Sequence, residues 1–313
     1  MSRRKIAAFS VAVILIAFAH KSLAQDKTRI ALSVRNVVLL PFYYAKDRQI
    51  FDKNGLSVEL IQMRSDLQMA GVVSGDVDFA AAVGSGIQGI VNGLPVKVIG
   101  ILYHGSPFSL LSRAITAAPK DLEGKKVAVS RIGSESHKAG LLMLEKSGAD
   151  VKKVTFLQTG STTVSMIALQ QGSVDGAVLS PPFTGEMVMK GFKVIQRSRG
   201  LMEVPSNGLV ASREKIQKQP QRITNVLKAM VESLRAIRQE RPAVVEYIRK
   251  NFSVPQRVAE EAYDDLMGVM LPDMIWPEDK FKTYLESGYV RAEGGKTVSV
   301  ADVVDYSFLR SLR

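Results

Sequence analysis

The groups in this 313-residue sequence best placed to act on another molecule are hydroxyls, glycine N–H groups and two histidines, gathered where predicted strands give way to helices. Gly84-Ser85-Gly86-Ile87-Gln88-Gly89 has the G-x-G-x-x-G spacing that seats a dinucleotide pyrophosphate between a strand and a helix. A ribose would then need an acidic residue about 20 positions on, and His104 and Ser106 stand there instead. No nucleotide cofactor is therefore expected. The physics of the motif remains, because the N–H groups of Gly84 and Ser85 at a helix start can receive an anion or a polar group. Ser85 adds a hydroxyl, and capping the helix is its competing structural role.

A second helix start, Ser130-Arg131-Ile132-Gly133-Ser134-Glu135-Ser136-His137, follows the predicted strand Lys126 to Ser130 at its carboxyl end. In open α/β sheets that end borders the ligand crevice. Ser130, Ser134, Ser136 and His137 are candidates to donate to a carboxylate, sulfonate or amide oxygen. Gly160-Ser161-Thr162-Thr163 follows the next strand in the same way, and Ser180-Pro181-Pro182-Phe183 the one after, where Phe183 beside Pro181 can wall an apolar cavity. Arg35 and Asn36 follow the first predicted strand. Arg35 is the natural counter-ion for an acidic ligand, with a solvated loop charge as the ordinary alternative. His104 ends the fourth strand, and both it and His137 are ligand candidates with a structural role as the alternative.

Residues for catalysis are not assembled. There is no G-x-S-x-G, and Gly294-Gly295-Lys296-Thr297 has Val290 where a phosphate loop needs glycine, so that run reads as a helix cap. Without a nucleophile, a base and an orienting partner, the expectation is a binding protein and not an enzyme. The absence of cysteine excludes a disulfide framework and a Cys-based metal site. No acidic cluster at ligand spacing accompanies the histidines, so neither a metal nor any other cofactor is expected.

These loops need a scaffold of short strands alternating with helices from Thr28 to Ile195, the pattern of mostly parallel sheets flanked by helices. Strands are expected at 29–34, 57–61, 78–83, 96–102, 126–130, 154–157, 174–179 and 193–195. Ile223, Val226, Leu227, Met230, Val231, Leu234 and Ile237 recur at helical spacing behind Pro220, a first-turn residue. Ser253 ahead of Pro255 and the box Ser299-Val300-Ala301-Asp302 mark two later helix starts, making the C-terminal third nearly all helix. An internal echo links Gly75-Asp76-Val77-Asp78 to Gly172-Ser173-Val174-Asp175. In each, glycine ends a helix and aspartate opens a strand. Two similar lobes fit this pattern, with residues 28–113 and 206–313 forming lobe I and 114–205 forming lobe II. The two crossings between them would act as a hinge.

The N-terminus has the order of an export signal: Arg3, Arg4 and Lys5, an apolar run from Ile6 to Phe18, and small residues at Ser22-Leu23-Ala24. The apolar run is too short to span a bilayer, which takes about 20 residues. Residues 1–24 are expected to be removed after Ala24, leaving a periplasmic protein. Cleavage takes Arg3, Arg4, Lys5 and Lys21 from 42 Lys+Arg against 30 Asp+Glu and lowers the charge from +12 to +8. The remaining positive charge is scattered along helices, as at Arg235, Arg238 and Arg241, which argues against a nucleic-acid partner.

Five fragments, in order, resemble a known family. They are Pro41-Phe42-Tyr43-Tyr44-Ala45 with Ile50 to Leu60, then Gly75 to Asp78, Gly93 to Val98, and Asp121 to Val129. They are similar to the periplasmic substrate-binding proteins of ABC importers for nitrate, sulfonates, taurine and thiamine precursors. The resemblance covers most of the chain beyond the signal. It implies a two-lobed periplasmic-binding-protein fold of type II and the capture of a small polar or anionic organic molecule between the lobes. The partners it implies are an inner-membrane permease and its cytoplasmic ATPase, with the protein acting as a monomer. A thiamine-pyrimidine-synthase-like enzyme on the same fold and a periplasmic sensor subunit are the alternatives.

Overall fold

The computed structural model describes residues 27–33, 35–113, 115–116, 118–201, 203–290 and 298–312. The expected signal and the run Gly294-Gly295-Lys296-Thr297 lie outside them. Ten strands are described: β1 (Thr28–Leu32), β2 (Val58–Gln62), β3 (Phe79–Ala80), β4 (Val96–Tyr103), β5 (Ser109–Ser112), β6 (Lys126–Val129), β7 (Thr155–Gln158), β8 (Gly176–Leu179), β9 (Lys193–Arg197) and β10 (Ser206–Ser212). They form two five-stranded sheets, β2-β1-β3-β10-β4 and β7-β6-β8-β5-β9. Read from the second strand of each order, the two sheets repeat one plan.

Each sheet is mostly parallel, as expected, with four strands running one way and a single strand reversed. Its first three strands pair in parallel, and β10 or β5 runs antiparallel to both of its neighbours. The reason lies in the two crossings, residues 104–108 and 198–205, which leave one sheet and enter the other at the strands' carboxyl ends. A strand that starts at that border must run away from it. The same pairing corrects the expected boundary at residue 113. Ser109 to Ser112 hydrogen-bond with β8 and β9, so the chain has already changed sheet after Tyr103.

The echo is a matched pair of joints. Asp78 accepts the Arg29 N–H at 2.7 Å, and Asp175 accepts the Lys126 N–H at 3.0 Å. In return the Asp78 and Asp175 N–H groups donate to the carbonyls of Arg29 and Lys126 at 2.8 and 2.9 Å. The preceding glycines, Gly75 and Gly172, hold φ of +85° and +79°, the left-handed conformation that ends a helix at little cost only for glycine. Asp78 differs in one respect: it also pairs with Lys215, with Arg222 at 3.9 Å.

The helical third stabilises the first sheet. Helix Pro220–Gln239 starts at its proline and buries Ile223, Val226, Leu227, Met230, Leu234 and Ile237 completely, each such side chain contributing about 1.5–3 kcal/mol. Val231 sits at the margin of that stripe, half-buried. The free edge of β4 is covered by Met270, Met274 and Val304 through backbone bonds and bridges, which removes an exposed pairing edge. Ser299 and Asp302 form the expected capping box, at the head of the four-residue helix Val300–Val303. Ser253 does not cap. It holds φ of +53° in the turn before helix Gln256–Met267, whose cap position is Pro255.

Candidate functional site

A cavity of about 990 Å³ opens where the two sheets face each other. Its walls are the loops after six strands, three from each sheet: β1, β2 and β3 on one side, β6, β7 and β8 on the other. Its floor is the two crossings, with Ser106, Pro107, Phe108, Val204 and Pro205, and the start of β10, with Ser206 and Asn207. This is the border at which open α/β sheets bind ligands.

Nine of the residues expected from sequence line this cavity: Asn36, Gly84, Ser85, Ser130, Ser134, Ser136, Gly160, Ser161 and Phe183. Gly84 and Ser85 occupy the second and third positions of helix Val83–Val91, whose cap position is Ala82, so Ser85 does not cap. The other glycines of that motif serve packing: a Cβ at Gly86 would stand 2.7 Å from Val210 of β10, and one at Gly89 2.7 Å from Leu94. Ser161 accepts the Val164 N–H at 3.2 Å and so caps helix Thr162–Gln171. Ser130, Ser134 and Ser136 bond to one another at 2.8–3.2 Å, and Ser136, 2 % exposed, also accepts the Ser130 N–H at 3.1 Å. These hydroxyls hold the loop's shape as well as facing the cavity.

Four expected residues stand off the cavity wall. Arg35 is exposed and lies over the rings of Tyr43 and Phe252, at 4.9 and 5.9 Å from their centroids. His104 is held in the crossing by its backbone, which bonds to Val269 and Val204. His137 lies one turn into helix Glu135–Lys146, accepts the Gly133 N–H at Nδ1 (3.0 Å) and packs edge-on to Phe156. Burial, then the neighbouring Lys138 charge, lower its pKa and favour the neutral ring. Pro181 is buried two residues ahead of helix Phe183–Met189. The loop order was readable for all four, and the direction of each side chain was not.

Sequence reasoning missed the charged lining, Arg64, Arg131, Glu135 and Lys138, and the aromatic pair Tyr284 and Tyr289. Helix Glu278–Glu286 presents Tyr284, seated edge-on against Trp276 at 6.0 Å, and Tyr289 stacks on it at 6.3 Å. Glu135 lies at the meeting point of walls and floor. Ser106 of the first crossing and Ser206, the first residue of β10 where the second crossing ends, hydrogen-bond its Oε2 at 3.0 and 3.1 Å and each other at 3.1 Å. Burial raises the Glu135 pKa, and the serine donors and Lys138 oppose the rise. Lys138 donates to the Tyr289 carbonyl at 3.0 Å. The signal available for Glu135 was its place in a serine-rich helix start at a strand's carboxyl end. Among the described residues no group of three or more His, Asp or Glu converges as a metal site.

No curated protein matches the sequence. Solved structures match its fold over nearly the whole chain. The periplasmic aliphatic sulphonate binding protein SsuA from Escherichia coli is 20 % identical, with 89 % of this chain and 92 % of that one covered and a TM-score of 0.70. The alkanesulfonate-binding protein SsuA from Xanthomonas axonopodis pv. citri, bound to MOPS, is 16 % identical over 83 % and 90 %, with a TM-score of 0.71. DSZB in complex with biphenyl-2-sulfinic acid is 14 % identical over 92 % and 98 %, with a TM-score of 0.65. The architecture is thus the two-lobed periplasmic-binding-protein fold. A family described as NMT1/THI5 like matches residues 36–242, more than half of the sequence, and the chain belongs to that family.

Proposed function

We propose that this protein is the extracytoplasmic solute-binding component of an ABC import system. It captures a small polar organic molecule between the lobes, closes on it at the two crossings, and delivers it to a membrane permease. The observation that carries this reading is the cavity itself, walled by strand-end loops of both sheets and floored by the only two segments that join those sheets among the described residues. A ligand that touches both walls binds the closed arrangement better than the open one, and that difference drives closure. The names of the SsuA structures support the same role, and the signal expected from sequence supports a periplasmic location.

The test is a thermal-shift screen of sulfonates, carboxylates, amines and pyrimidines, followed by small-angle scattering on the hits. A ligand at 100 times its Kd adds about 2.7 kcal/mol, roughly 5–10 °C for a protein of this size, and closure lowers the radius of gyration. Stabilisation without compaction refutes the hinge, and consumption of the added compound refutes a pure binding role.

A further inference from the structure

The floor of the cavity carries one carboxylate with half of its bonding capacity unused. The Oε2 of Glu135 receives the hydroxyls of Ser106 and Ser206. No donor among the described residues bonds its Oε1, which faces Gly84 of the opposite lobe: a Cβ added there would stand 3.7 Å away. Lys138, three residues on along the same helix, is turned to the Tyr289 carbonyl. A second acceptor in the same cavity, Oδ1 of Asn36, is buried with no partner among the described residues. The rest of the lining mixes hydroxyl, amide and apolar groups, and its cations are Lys138 beside Glu135 and, on the walls after β2 and β6, Arg64 and Arg131.

We propose that the solute bound here carries a cationic nitrogen, an ammonium or amidinium group, that docks on Oε1 of Glu135 when the lobes close. This rests on the solute-binding reading above and names the class of solute. Closure removes water from the carboxylate, and a desolvated carboxylate is costly unless a charged donor replaces the lost hydration. An anionic head at the same point would sit about 4 Å from a like charge, which at the effective dielectric of such a site weakens binding by roughly 100- to 1000-fold. Because the first crossing and the strand start that ends the second both grip Oε2, the carboxylate keeps its place as the hinge bends, and the solute's nitrogen is read at the hinge. Arg131 lines the same cavity and can face an acidic group of the solute, so zwitterions fall within the class.

The experiment uses matched pairs that exchange an amine for a hydroxyl: taurine and isethionate, β-alanine and 3-hydroxypropionate, benzylamine and benzyl alcohol. Each is titrated by thermal shift and calorimetry against the wild type and Glu135→Gln. The amine of each binding pair should bind the wild type about tenfold or more tightly than its hydroxyl partner, and Glu135→Gln should erase most of that preference. Equal or tighter binding of the hydroxyl partners to the wild type overturns the proposal and leaves the solute-binding reading standing, as does an amine preference that survives in Glu135→Gln. If that variant fails to fold, the wild-type pairs decide alone. Failure of every amine, hydroxyl compound and anion to bind the wild type removes the solute-binding reading, and the proposal with it.

Discussion

Replacing Asp78 and Asp175 by asparagine, one at a time, makes each half of the internal repeat the control for the other. Both carboxylates accept the N–H that opens a strand, Arg29 at 2.7 Å and Lys126 at 3.0 Å, and asparagine keeps an oxygen for that bond. What differs is charge. Asp78, its side chain 10 % exposed, pairs with Lys215 (14 %) and lies near Arg222 (23 %), so Asp78→Asn takes the anion from a poorly hydrated Lys215 and removes one neighbour of Arg222. Breaking a buried pair from one side costs about 3–5 kcal/mol, and the partial exposure of the cations brings this to ~2–3 kcal/mol. Asp175→Asn only converts a charge-assisted bond to a neutral one, at ~1 kcal/mol. At 2–4 °C per kcal/mol for a domain of this size, the melting temperature should fall by roughly 4–12 °C in the first variant and about 2–4 °C in the second. Differential scanning calorimetry reads both. Equal shifts, or a larger one for Asp175→Asn, would show that the ion pair contributes nothing and that the two joints are energetically the same.

Two other outcomes follow from the cavity. Ser136→Ala should lower stability by ~1–3 kcal/mol in urea denaturation, because it strips the acceptor from the Ser130 N–H and breaks the three-serine cluster. A loss of ligand affinity with unchanged stability, as its place at a helix start would suggest by itself, contradicts that. Burial raises the Glu135 pKa above its ordinary 4.5, so the folded state holds the proton more tightly than the unfolded one. The ligand-free protein should then gain stability as pH falls from neutral through the raised value toward 4.5, and Glu135→Gln should lack that gain. Lys138 and Tyr284 are the titratable groups facing Glu135, and the difference between wild type and variant cancels their contributions. A difference that stays constant between pH 7 and pH 5 sinks the argument.

Much of the architecture was legible in local signals. The eight expected strands all appear within a few residues of their expected places, apart from β3, which shortens to Phe79–Ala80. Helix Pro220–Gln239 and the box at Ser299 follow rules that act within one or two turns, so a linear pattern suffices to find them. Pairing across the sheet did not show in sequence. Nothing in the composition of Ser109 to Ser112 says that they join the second sheet, because a strand's neighbours are chosen by contacts between residues far apart in the chain.

The site divides along the same line. Sequence alone determined that the loops after β1, β3, β6, β7 and β8 face the crevice, since the loop after a parallel strand lies at that strand's carboxyl end, but not the Tyr284–Tyr289 segment. It also determined their chemistry, rich in hydroxyl and N–H donors. Only the tertiary structure decided which side chains turn inward. His137 and Ser136 are adjacent, yet one packs on Phe156 and the other faces the cavity, because successive helix positions point about 100° apart. Glu135 became the centre of the floor only when residues 106, 135 and 206, on three separate segments, came within about 3 Å of one another.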